Sequence, residues 1–165
     1  MDLPDGIRPA TPEDVPDIVR LVRDLAEYER DLASVQNTPE LLHAALFGED
    51  PAAEALVAEV DGAVVGTAVW YRTYSTWTGV AGMHLEDLYV MPEHRGSGLG
   101  RAFFTALARI AVDRGFPRFE WVVLDWNTPA IEFYEALGGK PMAEWTTYRV
   151  AGDTLVALAR GPGVR

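Results

Sequence analysis

The sequence predicts a mixed α/β fold: one sheet flanked by helices, antiparallel in its first half and with parallel character further on. Two observations carry that reading. The apolar stretches 53–60 and 63–74 are separated only by Asp61-Gly62, a pair that favours the tight turn of an antiparallel hairpin. Later, the apolar run 83–90 leads through glycines into a helix-like run, 98–114, and then into 119–124. Strand, helix and strand in that order make a parallel crossover unit.

The elements follow in order. Residues 7–9 form a short opening strand. Thr11 suits an N-cap, Pro12 the first helical position, and Asp14 the first turn, where an acid faces unpaired amides. Ile18, Leu21, Val22 and Leu25 then share one helical face. A second, shorter helix begins at Thr38-Pro39 and stops at Gly48. After the hairpin, the strand 83–90 ends at Pro92, and the helix 98–114 buries Phe103, Leu107 and Ile110 before closing at Gly115. Asn127 caps a last helix, 128–137, which Gly138-Gly139 stop. Residues 142–150 and 154–159, joined around Gly152-Asp153, are expected to form a closing hairpin. The whole chain, 1–165, reads as a single domain with enough length to bury a core.

Composition bounds the function. A chain 48% hydrophobic and 24% charged is globular. No run approaches a membrane span, and the start "MDLPDGIRPAT" lacks the regions of a signal peptide. There is no cysteine, which excludes disulfides, thiolate metal sites and a cysteine nucleophile, and a cytoplasmic location is the simplest reading. Net charge is −11, from 25 acids against 14 bases, so nucleic acid is not an expected partner. Such a surface attracts cationic substrates, although it serves solubility equally well. His43, His84 and His94 lack ligand spacing, and no metal site is expected.

The stretch "LEDLYVMPEHRGSGLGRAFF", 85–104, carries the most chemistry. Gly96, Gly98 and Gly100 lead into a helix whose first amides have no internal partner, so backbone and a ligand can approach closely. A helix start favours negative charge, and Arg95 and Arg101 add cationic donors. Together these suit a pyrophosphate. The turn is not a P-loop, because Arg101-Ala102 stands where Lys-Ser/Thr would be, and its glycine spacing differs from the dinucleotide fingerprint. A plain strand-to-helix connection is the alternative.

Arg95-Gly96-Ser97-Gly98-Leu99-Gly100 resembles the Arg/Gln-x-x-Gly-x-Gly/Ala signature of the GNAT superfamily of acetyl-CoA-dependent N-acetyltransferases. "IRPAT", "RLVRDLAEYE", "HLEDLYVMPEHRGSGLG" and "LDWNTPAIEFYEALG" are similar, in that order, to the diamine acetyltransferase family, which includes spermidine/spermine and thialysine acetyltransferases. The resemblance runs from about Ile7 to Val150.

It implies a mostly antiparallel mixed sheet, splayed open beside the strand 83–90. The acetyl-CoA pyrophosphate would lie on Arg95, Gly96, Ser97, Gly98, Leu99, Gly100 and Arg101, with the pantetheine paired to Leu88, Tyr89 and Val90. Asn127, with Thr128, Pro129 and Ala130, matches a cofactor contact at the last helix start; simple capping by Asn127 is the alternative, and both roles could coexist. Glu86 matches the general base, which must take a proton from an amine that is mostly protonated at neutral pH. Asp87 is its neighbour, and in a regular strand the two face opposite ways. Tyr134 matches the general acid that protonates the leaving thiolate; without the resemblance it reads as a packing aromatic. The lack of cysteine fits direct attack in a ternary complex.

For the amine, Tyr28 and Glu29 match a substrate-contacting pair, Trp77 an aromatic able to hold an alkyl-ammonium stem, and Glu120, Trp121 and Val122 the strand lining the amine site. Polyamine-type members carry an acid where this chain has Ser75, and a further amine-binding carboxylate aligns poorly near Glu144 and Thr146. These departures favour a thialysine-like amino acid or small diamine over spermine; acetylation of a protein lysine, and an acyl-CoA-binding sensor without catalysis, are the other readings. A homodimer is implied by the resemblance alone.

Overall fold

Asp61 and Gly62 both take positive φ, 53° and 79°, the mirror-image turn that matches the twist of paired strands. They join Glu54–Val60 (β2) to Ala63–Ser75 (β3). The computed structural model describes residues 2–161. Its other strands are Ile7–Pro9 (β1), Val80–Val90 (β4) and Phe119–Trp121 (β5). They form one sheet in the order β1-β2-β3-β4-β5, antiparallel throughout except for the parallel β4–β5 pair. The mixed, mostly antiparallel α/β class read from the sequence is the class observed.

The chain divides into two compact units, Met1–Val122 and Val123–Arg165, and the whole sheet belongs to the first. One sheet face is covered by Val15–Tyr28 (α1) and Pro39–Phe47 (α2). There Ile18, Leu21, Leu42 and Leu46 pack against Val57, Val69 and Tyr89. Gly66, Ala68 and Trp70 alternate with Thr67 and Val69 and so face the other side. That side receives Leu99–Asp113 (α3), whose Phe103 and Leu107 are fully buried. A Cβ on Gly66 would stand 3.1 Å from the Phe103 ring, so glycine there lets helix and sheet approach closely.

The start of the first helix differs from expectation. Pro12–Asp14 make a 3₁₀ turn, and α1 follows from Val15. Asp14 is buried because its carboxylate is fully engaged. It accepts from the Thr11 amide at 2.7 Å and from both terminal nitrogens of Arg8, at 2.6 and 2.8 Å. Arg8 also ties Glu59 of β2 through Nε at 2.8 Å. The second helix is as read: the Thr38 hydroxyl accepts from the Leu41 amide at 3.3 Å, and Gly48 ends it.

In the second unit, Thr128–Ala136 (α4) begins after Asn127, and Gly138 follows it with φ 90°. The expected closing hairpin is absent. Residues 142–150 form no strand, and Gly152–Ala159 (α5) is a helix. "TLVALA" is apolar or near-apolar at every position, so periodicity does not separate strand from helix. A strand needs a ladder partner and 142–150 supplies none, whereas a helix closes its hydrogen bonds within itself. β5 likewise ends at Trp121 rather than at residue 124. No helix among the described residues is long and apolar enough to cross a membrane.

Candidate active site

β4 changes register in mid-strand. Leu85 lies opposite Trp70 and Asp87 opposite Val69, which leaves Glu86 without a partner on β3. One extra residue of this kind bends the strand and sends every later side chain to the other face. Val69 packs with α1 and α2, so Asp87 turns to that side. A regular strand would have kept it with Leu85. The alternation argument that separated Glu86 from Asp87 therefore does not hold here.

The consequence is electrostatic. The Asp87 carboxyl is pushed up to about 6, first by burial and then by the charges of Glu86 and Glu29. Glu29 directly follows α1, and burial holds its carboxyl above the usual range as well. Glu86 is the open member, with 58% of its side chain exposed and His84 Nε2 3.9 Å from Oε2. The His84 ring lies against Tyr71, centroids 5.0 Å apart, and the Tyr71 phenol is raised by burial and by the Glu86 charge. At the bulge Asp87 thus feels two other carboxylates, those of Glu86 and Glu29. An incoming cation would relieve their mutual repulsion.

Beside the bulge, the sheet opens. β5 pairs with β4 only from Met83 to Leu85, through Phe119, Glu120 and Trp121. From Glu86 to Val90 the second edge of β4 has no ladder partner among the described residues, leaving room for an extended ligand to pair with Leu88, Tyr89 and Val90.

The strand then runs into the glycine turn. Gly96 and Gly98 have φ of 76° and 94°, which side chains rarely adopt. Among the described residues, the amides of Gly96 through Arg101 donate to no backbone carbonyl; the first that does is Ala102, to Gly98 O at 2.9 Å. A row of free N–H groups at a helix start is suited to phosphate oxygens. Ser97 Oγ instead donates back to the His94 carbonyl at 2.6 Å, which fixes the turn.

The Arg95 guanidinium lies over the rings of Tyr28 and Tyr89, 5.2 and 5.3 Å from their centroids. Arg101 is exposed, and Leu88 is half-buried. Trp77 stands at the tip of the β3–β4 hairpin with 88% exposure. Glu120 is in register with His84 but ion-paired to Arg118 at 2.8 Å. Trp121 packs edge-on against Phe104, centroids 4.9 Å apart, and Val122 is exposed.

Within the second unit, Asn127 is buried, and its side chain makes no capping bond; its carbonyl accepts from Ala130 and Ile131. Thr128, Pro129 and Ala130 form the first turn of α4. Tyr134 is half-buried with its ring tilted against Phe133, centroids 5.6 Å apart.

The geometry therefore gathers Glu29, Glu86 and Asp87, and separately Tyr28, Tyr89 and Arg95. Sequence reasoning set Asp87 aside and passed over Tyr71 and His84. A signal for Asp87 was present: apolar residues at 83 and 85 resume at 88 and 90, a one-residue break in alternation that marks a bulge.

Comparison with known proteins bears on this arrangement. The model of the Acetyltransferase (GNAT) family matches residues 18–139. The chain is 40% identical to thialysine N-epsilon-acetyltransferase of Mus musculus, over 93% of this chain and 96% of that protein. It is 30% identical to L-ornithine N5-acetyltransferase of Arabidopsis thaliana, over 92% and 86% respectively. Among solved structures, an integron cassette protein from the mobile metagenome of V. cholerae superposes with a TM-score of 0.79 at 24% identity, covering 94% of this chain and 97% of that one.

Proposed function

Since the chain belongs to the Acetyltransferase (GNAT) family and is an N-acetyltransferase, we propose that it moves the acetyl group of acetyl-CoA to the side-chain amine of a thialysine-like amino acid or small diamine. The observation that carries this reading is the arrangement along β4. One strand offers a carboxylate cluster at its bulge, an unpaired edge beside it, and a row of free amides at its end.

Those features fit acetyl-CoA part by part. The amides from Gly96 to Arg101 would hold the pyrophosphate, and the open edge at Leu88, Tyr89 and Val90 would hold the pantetheine. Bound there, acetyl-CoA supplies an activated acyl carbon near the bulge. Attack requires a neutral amine, and a group with a pKa close to working pH removes the proton most effectively. Glu86, open to solvent, would take the proton from the ammonium and pass it to Asp87, poised near 6 beside it. The neutral nitrogen would bond to the acyl carbon as the carbon–sulfur bond breaks; Tyr134 would give its proton to the departing thiolate, and the second proton shed by the nitrogen would restore the phenol through solvent. Glu29 attracts the far end of the substrate, and Trp77, Glu120, Trp121 and Val122 belong to the amine side.

The compact substrate follows from Ser75 and from the first relatives compared. In this reading the two structural units work as one acetyltransferase domain, which the family match supports by crossing residue 122. A cytoplasmic homodimer belongs to the same reading, and light scattering in solution tests its dimeric part. The function itself is tested by thiol release from acetyl-CoA across thialysine, lysine, ornithine, putrescine, spermidine and spermine. Preference for thialysine supports it; preference for spermine moves the chain to the polyamine branch.

A further inference from the structure

Arg95 opens the glycine turn, yet its side chain points away from the turn's work. Its Nε donates to the Val90 carbonyl at 3.0 Å. Its guanidinium carbon lies 5.2 Å from the centre of the Tyr28 ring and 5.3 Å from that of Tyr89. These anchors come from separate parts of the fold. Tyr28 is the last residue of α1, and Tyr89 and Val90 end β4. A guanidinium held against two tyrosine rings and by a directed N–H has little freedom, which a lysine would not reproduce. Glu29, next to Tyr28, has its charge close enough to Asp87 to raise it.

We propose that Arg95 is a positioning residue that couples the glycine turn to the Tyr28–Glu29 end of α1, so that filling the turn tightens amine binding at the carboxylates. This rests on the reading of the turn as the cofactor cradle and of Glu29 and Asp87 as amine contacts. An anion that takes the amides from Gly96 to Arg101 orders the turn and fixes the backbone of Arg95. The stack then orders the end of α1, and the amine arrives at a carboxylate whose ordering has already been met. The coupling is reciprocal, so amine must tighten the cofactor by the same factor.

The test uses calorimetric titration of the full chain with CoA and thialysine as probes. The quantity read is the thialysine Kd without CoA divided by that with saturating CoA. The native chain should give a ratio of about ten, the range that stacking of this kind supports. Arg95→Met and Tyr28→Leu should each bring the ratio to within about twofold of one, and the double variant should go no further. A purely structural role would weaken both thialysine Kd values alike and leave the ratio intact. Where Arg95→Met folds poorly, Arg95→Lys, which keeps the charge but loses the fork, gives the same reading. A native ratio near one, or a ratio that survives in Arg95→Met or Arg95→Lys, overturns the proposal. Failure of the native chain to bind CoA overturns the reading of the turn and this proposal with it, whereas CoA binding with an unchanged ratio overturns this proposal alone.

Discussion

Replacing Asp87 with Asn should make the protein more stable at neutral pH and less active. Asp87 sits half-buried at the bulge with Glu86 and Glu29 nearby, and its carboxyl is displaced from 3.8 to about 6. A raised acid favours folding only while it is protonated. Its contribution is complete below about pH 4 and is lost as pH rises through about 6. The displacement corresponds to about 3 kcal/mol of native stability forgone at pH 7.5. Asparagine mimics the protonated form at every pH. Urea unfolding of both chains at fixed ionic strength, from pH 4 to 8, should give near-equal stabilities at the acid end and a gap opening to about 3 kcal/mol in favour of Asp87→Asn. Groups that titrate elsewhere act on both chains and cancel in the difference. A gap that is flat with pH, or that favours the native chain above pH 6, would refute the reasoning. The same variant should transfer acetyl more slowly, because asparagine takes up no proton.

Other outcomes follow from the same geometry. Glu86→Gln should lower kcat/KM by about 10²- to 10⁴-fold while CoA affinity measured by titration stays within about twofold; equal rates would remove Glu86 from proton transfer. Tyr134→Phe should slow turnover with CoA binding retained, and an unchanged kcat would return Tyr134 to packing alone. In the native chain kcat/KM should rise as pH passes about 6, where Asp87 becomes charged, and that limb should flatten in Asp87→Asn. Gly98→Ala places a side chain at φ 94° and should cost about 1–2 kcal/mol in unfolding experiments, with weakened CoA binding because the first amides of α3 shift. Gly66→Ala drives a Cβ to 2.9 Å from the Tyr89 carbonyl and 3.1 Å from Phe103, an overpacking expected to cost about 1–3 kcal/mol of thermal or chemical stability.

The parts of the fold legible in the sequence are those governed by local rules. Asp61-Gly62 specifies its turn whatever surrounds it, Thr38 and Gly48 bound α2 by capping, and the run from 98 to 114 has a clear buried face. The turn at Gly96 and Gly98 was legible for the same reason, since positive φ at a helix start calls for glycine. What escaped depends on partners distant in the chain. Whether 142–150 forms a strand depends on a ladder that no local pattern reports. The role of Asp87 required knowing that β3 skips a pairing at Glu86, and that Glu29, from the end of α1, lies close by. Nor does local sequence report that the Arg95 guanidinium lies against the rings of Tyr28 and Tyr89.

The central claim is acetyl transfer to a side-chain amine, with the bulge carboxylates removing its proton. The most direct test incubates the protein with acetyl-CoA and thialysine, measures free thiol, and identifies the product by mass spectrometry, for the native chain and for Glu86→Gln. The account predicts one acetyl group on the side-chain nitrogen, formed in step with thiol release and strongly suppressed in the variant. Thiol release without acetylated amine, or full product formation by Glu86→Gln, would contradict it.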